Sequence, residues 1–90
     1  MPKFRKKPIV IEALRIDMQD HDAATALIAW CGGHDYSSTE HGMLVIAVPT
    51  LEGTMYAADG DWIVKGVKGE FYPVKPDIFE ATYELVEESA

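Results

Sequence analysis

One cysteine and three histidines are the residues best suited to nucleophilic or metal chemistry. Cys31 and His34 are three positions apart, a spacing zinc accepts, and His21 and His41 could complete a ligand set. Those outer spacings match no known ligand pattern and the second cysteine is missing, so the sequence argues for no metal. As a nucleophile, Cys31 needs a stabilised thiolate beside a base. It continues the apolar stripe of a helix instead, where a thiol is inert, so the expectation is no catalytic residue and no cofactor.

Asp61, Trp62, Phe71 and Tyr72 form the second chemical grouping. The aromatic faces could stack on a ring-shaped ligand while the carboxylate takes a polar group, which makes these four the candidate ligand-binding residues. Each also has a structural account. Gly60 permits a positive φ, Asp61 can hydrogen-bond its own turn, and Trp62 could pack against Phe71 or Tyr72 across a hairpin. Glu52, Asp59 and Asp61 lie in turns among abundant carboxylates and make a weak case for an acidic pair. Gly66 and Gly69 precede no helix and no Gly-Lys-Ser/Thr, so they form no phosphate loop; no serine sits in a nucleophile elbow.

The elements that must position these residues read in order. Residues 1–7 are a basic arm, and 9–16 are apolar on both period-2 faces and rich in β-branched residues, as in a central strand. Asp20 or Asp22 can cap a helix over 22–31, with Ala24, Leu27, Ile28 and Cys31 on one stripe and Gly32-Gly33 ending it. An edge strand is expected at 36–39 and a second central strand at 43–48, closed by Pro49; 54–57 is its hairpin partner. Residues 61–65 and 70–74 form the aromatic hairpin around Gly66 and Gly69. Asp77 starts a helical turn through Phe79, and the alternation of Ala81, Tyr83 and Leu85 predicts a closing strand. Residues 85–90 are an acidic tail.

The expected fold is therefore α+β, one helix packed on a curved, partly closed antiparallel sheet of five to seven short strands, in a single domain over 1–90. Ninety residues bury only about 60–65% of their unfolded surface and leave little room for an internal site. An apolar share of 48% is that of a globular chain. No apolar run approaches a membrane span, and Glu12 and Arg15 interrupt any signal-like segment. A lone cysteine suits a reducing compartment.

Net charge is −7, yet Lys3, Arg5, Lys6, Lys7 and Arg15 concentrate the basic residues at one end. The remaining acidic surface repels phosphate backbones, which argues against a nucleic-acid partner. Met43, Leu51, Met55, Tyr56 and Trp30 lie off the inward stripes, and free strand edges are expected, so a homodimer or higher symmetric oligomer is predicted, its contact using a sheet edge or the Thr50–Tyr56 region.

The stretch Thr50-Leu51-Glu52-Gly53-Thr54-Met55, with Gly60-Asp61-Trp62-Ile63-Val64-Lys65-Gly66 through Glu70-Phe71-Tyr72-Pro73 and Lys75-Pro76-Asp77-Ile78-Phe79-Glu80-Ala81-Thr82-Tyr83-Glu84, resembles a family of small uncharacterised proteins of tailed phages and prophages. The opening Lys3-Phe4-Arg5-Lys6-Lys7-Pro8-Ile9-Val10-Ile11-Glu12-Ala13 is similar to their N-termini. Many such relatives carry proline before the Gly-Asp and cysteine after the Tyr-Pro; this chain has Asp59 and Val74 there, so thiol chemistry at the latter position does not apply. The resemblance implies a bacteriophage accessory protein acting in the host cytoplasm. Three functions are weighed: a non-catalytic binder of a host protein or other host macromolecule, a nucleotide-sequestering protein of phage counter-defence, and, last, a small enzyme.

Overall fold

A computed structural model describes residues 1–37 and 44–86. Among them are six strands and two helices: β1 (Glu12–Arg15), α1 (His21–Cys31), β2 (His34–Asp35), β3 (Val45–Thr50), β4 (Gly53–Ala58), β5 (Trp62–Lys65), β6 (Phe71–Val74) and α2 (Pro76–Thr82). The class is α+β. The single curved sheet expected from the sequence is replaced by two antiparallel three-stranded sheets, ordered β1-β5-β6 and β2-β3-β4. The single helix becomes two. Both edges of β3 are filled by β2 and β4 and both edges of β5 by β1 and β6, and the two sheets meet through the shared core instead of a common edge.

α1 follows from its caps and its stripe. Asp20 accepts the Ala23 N–H at 3.1 Å, satisfying one free donor of the first turn. Gly32 takes a left-handed φ of 66°, and Gly33 N–H reaches back to the Ile28 carbonyl, ending the helix as glycine does best. Ala24, Leu27 and Cys31 are buried and Ile28 packs beside them, so the predicted stripe faces the core. That core joins Ile16, Leu27, Cys31, Ile46, Val48, Ala57 and Ile63, drawing on α1 and both sheets. Burying such aliphatic side chains contributes about 1.5–3 kcal/mol each.

In the second sheet β3 is central, as expected, but it runs through Pro49, which pairs in register with Thr54. The proline lies beyond the pairing of β2 with Ile46 and Ala47, so among the described residues no strand on that side of β3 requires its missing N–H. The expected edge strand at 36–39 is instead the two-residue β2, continued by a Tyr36 N–H to Val45 carbonyl bond of 2.8 Å; positions 38–43 lie outside the described residues, Met43 and His41 included.

The first sheet departs from expectation at both ends. The long central strand over 9–16 shrinks to β1, an edge strand, because β5 offers four partners before the chain turns at Gly66. Only Ile16 continues the pairing, through its N–H to the Asp61 carbonyl. At the other end, α2 extends the expected turn to Thr82, and no closing strand forms over 81–85. Pro76 supplies a pre-set φ at the first turn, and Phe79 and Tyr83 then lie one turn apart on one face. Trp30, expected to lie off the packed surface, is half-buried against Phe71, whereas Leu51, Met55 and Tyr56 are exposed. Of the acidic tail, Leu85 and Val86 are exposed and 87–90 lie outside the described residues.

Candidate functional site

The register of β5 on β6 decides what the aromatic residues can do. Trp62 opposes Val74 and Val64 opposes Tyr72, while Ile63 opposes Pro73 and Lys65 opposes Phe71. Directly opposed residues share a face, so Trp62 and Tyr72 occupy one side of the sheet and Phe71 the other. The four candidate residues therefore do not line one groove.

Phe71 joins the core. Its ring meets Trp30 edge-on at 4.9 Å and 78°, a favoured arrangement of aromatic quadrupoles. Trp62 and Tyr72 are covered by α2. The Phe79 ring stacks on Trp62 with centroids 4.1 Å apart and planes 6° from parallel. The Tyr72 and Tyr83 hydroxyls share a hydrogen bond of 3.2 Å, and Lys6 of the arm sits 4.9 Å over the Tyr83 ring. Val64 is fully buried beneath this layer. Burial, then the Tyr83 hydrogen bond and the nearby Tyr83 and Glu70 charges, push the Tyr72 phenol up to about 12.

Asp61 is 4% exposed and is the buried charge of the described residues. Its Oδ2 accepts the Ala58 backbone N–H at 2.9 Å and the Lys75 ammonium at 3.0 Å. Gly60, at φ 92°, makes the tight turn that points Asp61 back at Ala58. The carboxylate thus ties the β4–β5 turn to the start of α2, and its ligands are the protein's own.

A shallow depression of about 330 Å³ lies between Arg15, Ile16, Asp17, Gln19, Asp59 and Gly60. Its polar groups are largely committed to each other: Arg15 Nε donates to the Gly60 carbonyl, Asp59 accepts the Met18 N–H, and Gly60 N–H donates to the Ile16 carbonyl. Glu52 stands apart in the β3–β4 turn. Cys31 is buried, its Sγ 3.7 Å from the Ile28 carbonyl, and burial pushes its thiol upward, away from the reactive thiolate. His21 and His34 are exposed on different elements, and among the described residues no three His, Cys, Asp or Glu side chains gather as a metal site.

The surface with free aromatic groups lies elsewhere, on the outer face of β2-β3-β4. His34 opposes Ala47, Ala47 opposes Tyr56, and Tyr36 follows beside Val45. The Tyr36 and Tyr56 rings meet at 5.2 Å and a tilt of 47°, yet remain 62% and 57% exposed. Pro49 is exposed on the same face, and Leu51 projects from the adjoining turn. The sequence marked Tyr56 as unplaced, but nothing local signalled its pairing with Tyr36; that contact depends on the β2–β3–β4 register. Phe79 and Tyr83 were also missed, although their i, i+4 spacing was readable.

No family model, curated protein or solved structure matches this chain. Among the described residues no helix is long and apolar enough to cross a membrane.

Proposed function

We propose that this chain is a non-catalytic bacteriophage accessory protein that binds and modulates a host protein in the host cytoplasm. The exposed Tyr36–Tyr56 pair carries this reading. Tyrosines with rigid, half-apolar rings and a free hydroxyl are the side chains on which protein interfaces concentrate binding energy. Ala47 and Pro49 give that face a flat apolar floor around the two rings. With a net charge of −7, the fitting partner presents a basic surface, which long-range attraction would steer into contact. The phage origin rests on the resemblance of residues 3–13 and 50–84.

A nucleotide-sequestering role draws less support. A base stacked on Trp62 would take the place that Phe79 occupies at 4.1 Å, and Asp61 already holds Lys75. A small enzyme draws least, since Cys31 is buried and the acidic turns bring no free catalytic pair together.

Affinity capture from bacterial lysate with the wild-type chain and a Tyr36→Ser/Tyr56→Ser variant tests the reading. A basic protein retained by the wild type and lost from an equally stable variant supports it. Equal retention by both would move the contact away from this face.

A further inference from the structure

Among the described residues the segment before β1 has no strand partner. Ile9, Val10 and Ile11 are β-branched, yet Ile9 and Val10 are 52% and 74% exposed, and Phe4 is 94% exposed. β1 itself is an edge strand. Ile16 turns its N–H toward β5, so ladder alternation aims the backbone groups of Ala13 and Arg15 to the open side. The radius of gyration is 14.5 Å against roughly 12 Å for a compact 90-residue chain, and Lys6 of this segment lies over the Tyr83 ring of its own chain.

Charge along the same stretch is ordered. Lys3, Arg5, Lys6 and Lys7 come first, an apolar run follows, and Asp17, Asp20 and Asp22 close it. Read antiparallel against itself about Ile11, the stretch sets Arg5 across from Asp17 and the apolar residues across from one another, with Lys7 and Arg15 as a like-charge pair. We infer that residues 9–13 are the interface of a two-fold dimer, in which the arm of one copy adds as a strand to the arm and β1 edge of a second copy. An axis through Ile11 sets Ile11 against Ile11 of the second copy and Ile9 against Ala13 of the second copy. It brings Arg5 opposite Asp17 of the second copy, and keeps Glu12 across from Val10 of the second copy and away from its own twin. Pro8, with no N–H, falls on the alternation that does not face the partner, so its missing donor costs nothing there. Two pairs are unfavourable, Lys7 facing Arg15 and Lys6 facing Ile16 of the second copy; the lysines are exposed and can diverge. The pairing covers an otherwise open edge. It stands independently of the host-protein reading, because it uses the opposite sheet from Tyr36 and Tyr56.

Light scattering after size exclusion tests it on the intact chain. The wild type at micromolar concentration should have twice the 10.0 kDa chain mass. Ile11→Pro removes one outward donor without touching a β1–β5 pair and should give the single-chain mass with an unchanged circular dichroism spectrum. Arg5→Glu should weaken dimerisation about tenfold, since the symmetry repeats the reversed pair twice, and adding Asp17→Lys should restore it. A wild-type monomer throughout the micromolar range overturns the inference. So does an Ile11→Pro dimer, or an Arg5→Glu variant that associates as tightly as wild type.

Discussion

The indole of Trp62 and the ring of Phe79 lie 4.1 Å apart and 6° from parallel, and this stack is what fastens α2 to the β1-β5-β6 sheet. A seven-residue helix with no side-chain N-cap is too short to persist alone. It is held by the Phe79 ring on Trp62, by Lys75 at its start on Asp61 and, just past its end, by the hydrogen bond between the Tyr83 and Tyr72 hydroxyls.

Trp62→Ala should therefore act on the fold. Full burial would make the loss about 3–5 kcal/mol, and the half-exposed ring places it at the lower end. Phe79→Ala should cost somewhat less, and urea denaturation of both single variants and the double variant should reveal a coupling of about 0.5–1.5 kcal/mol. Additive losses would mean that the two rings do not depend on each other.

Asp61 and Lys75 should respond unequally to substitution. Asp61→Ala strips the Ala58 N–H of its acceptor, a loss of about 1–3 kcal/mol, and frees the start of α2. Lys75→Met leaves that backbone bond in place and removes a side chain that is 61% exposed, so it should cost no more than about 1 kcal/mol. Chemical denaturation of the two variants checks the order; a larger loss from Lys75→Met would contradict it.

Tyr72 makes the fold sensitive to alkali. Its pKa rises from 10.0 to about 12, so the fold favours the neutral phenol. The stabilisation is whole below pH 10 and is lost as pH rises through about 12. Difference absorbance near 295 nm between the wild type and Tyr72→Phe should show one phenol ionising near pH 12 in the folded protein. Tyr83→Phe should lower that midpoint while leaving the part due to burial. A wild-type difference midpoint near 10 would mean that Tyr72 is neither desolvated nor held by Tyr83.

Cys31 offers a simple probe of the core. A buried thiol whose pKa is raised by desolvation should resist aromatic disulfide reagents in the folded protein and react stoichiometrically in denaturant. Rapid labelling of the native chain would place the helix stripe outside the core.

α1 was legible because its signals are local: an Asp cap, a 3.6-residue stripe and a glycine stop. The hairpin from Trp62 to Val74 was legible for the same reason, with apolar runs on either side of a Gly-bounded turn. What the sequence misjudged depended on distant partners. Ile9 and Val10 have the composition of a covered strand, but coverage is decided by how far β5 extends. Ala81 and Tyr83 alternate as in a strand, but stacking of Phe79 on Trp62 and the bond between the tyrosine hydroxyls favour a helix that places both rings on one side. The candidate residues divided likewise. Asp61 could be read as a turn carboxylate, while the separation of Phe71 from Trp62 and Tyr72 followed only from register.

Amide hydrogen exchange of the chain alone and in complex with its captured partner tests the central claim, that the outer face of β2-β3-β4 is the binding surface. Slowed exchange is expected in peptides covering 34–37 and 53–58, with 71–83 unchanged. Protection confined to 71–83, with 34–37 and 53–58 exchanging as in the free chain, would contradict it.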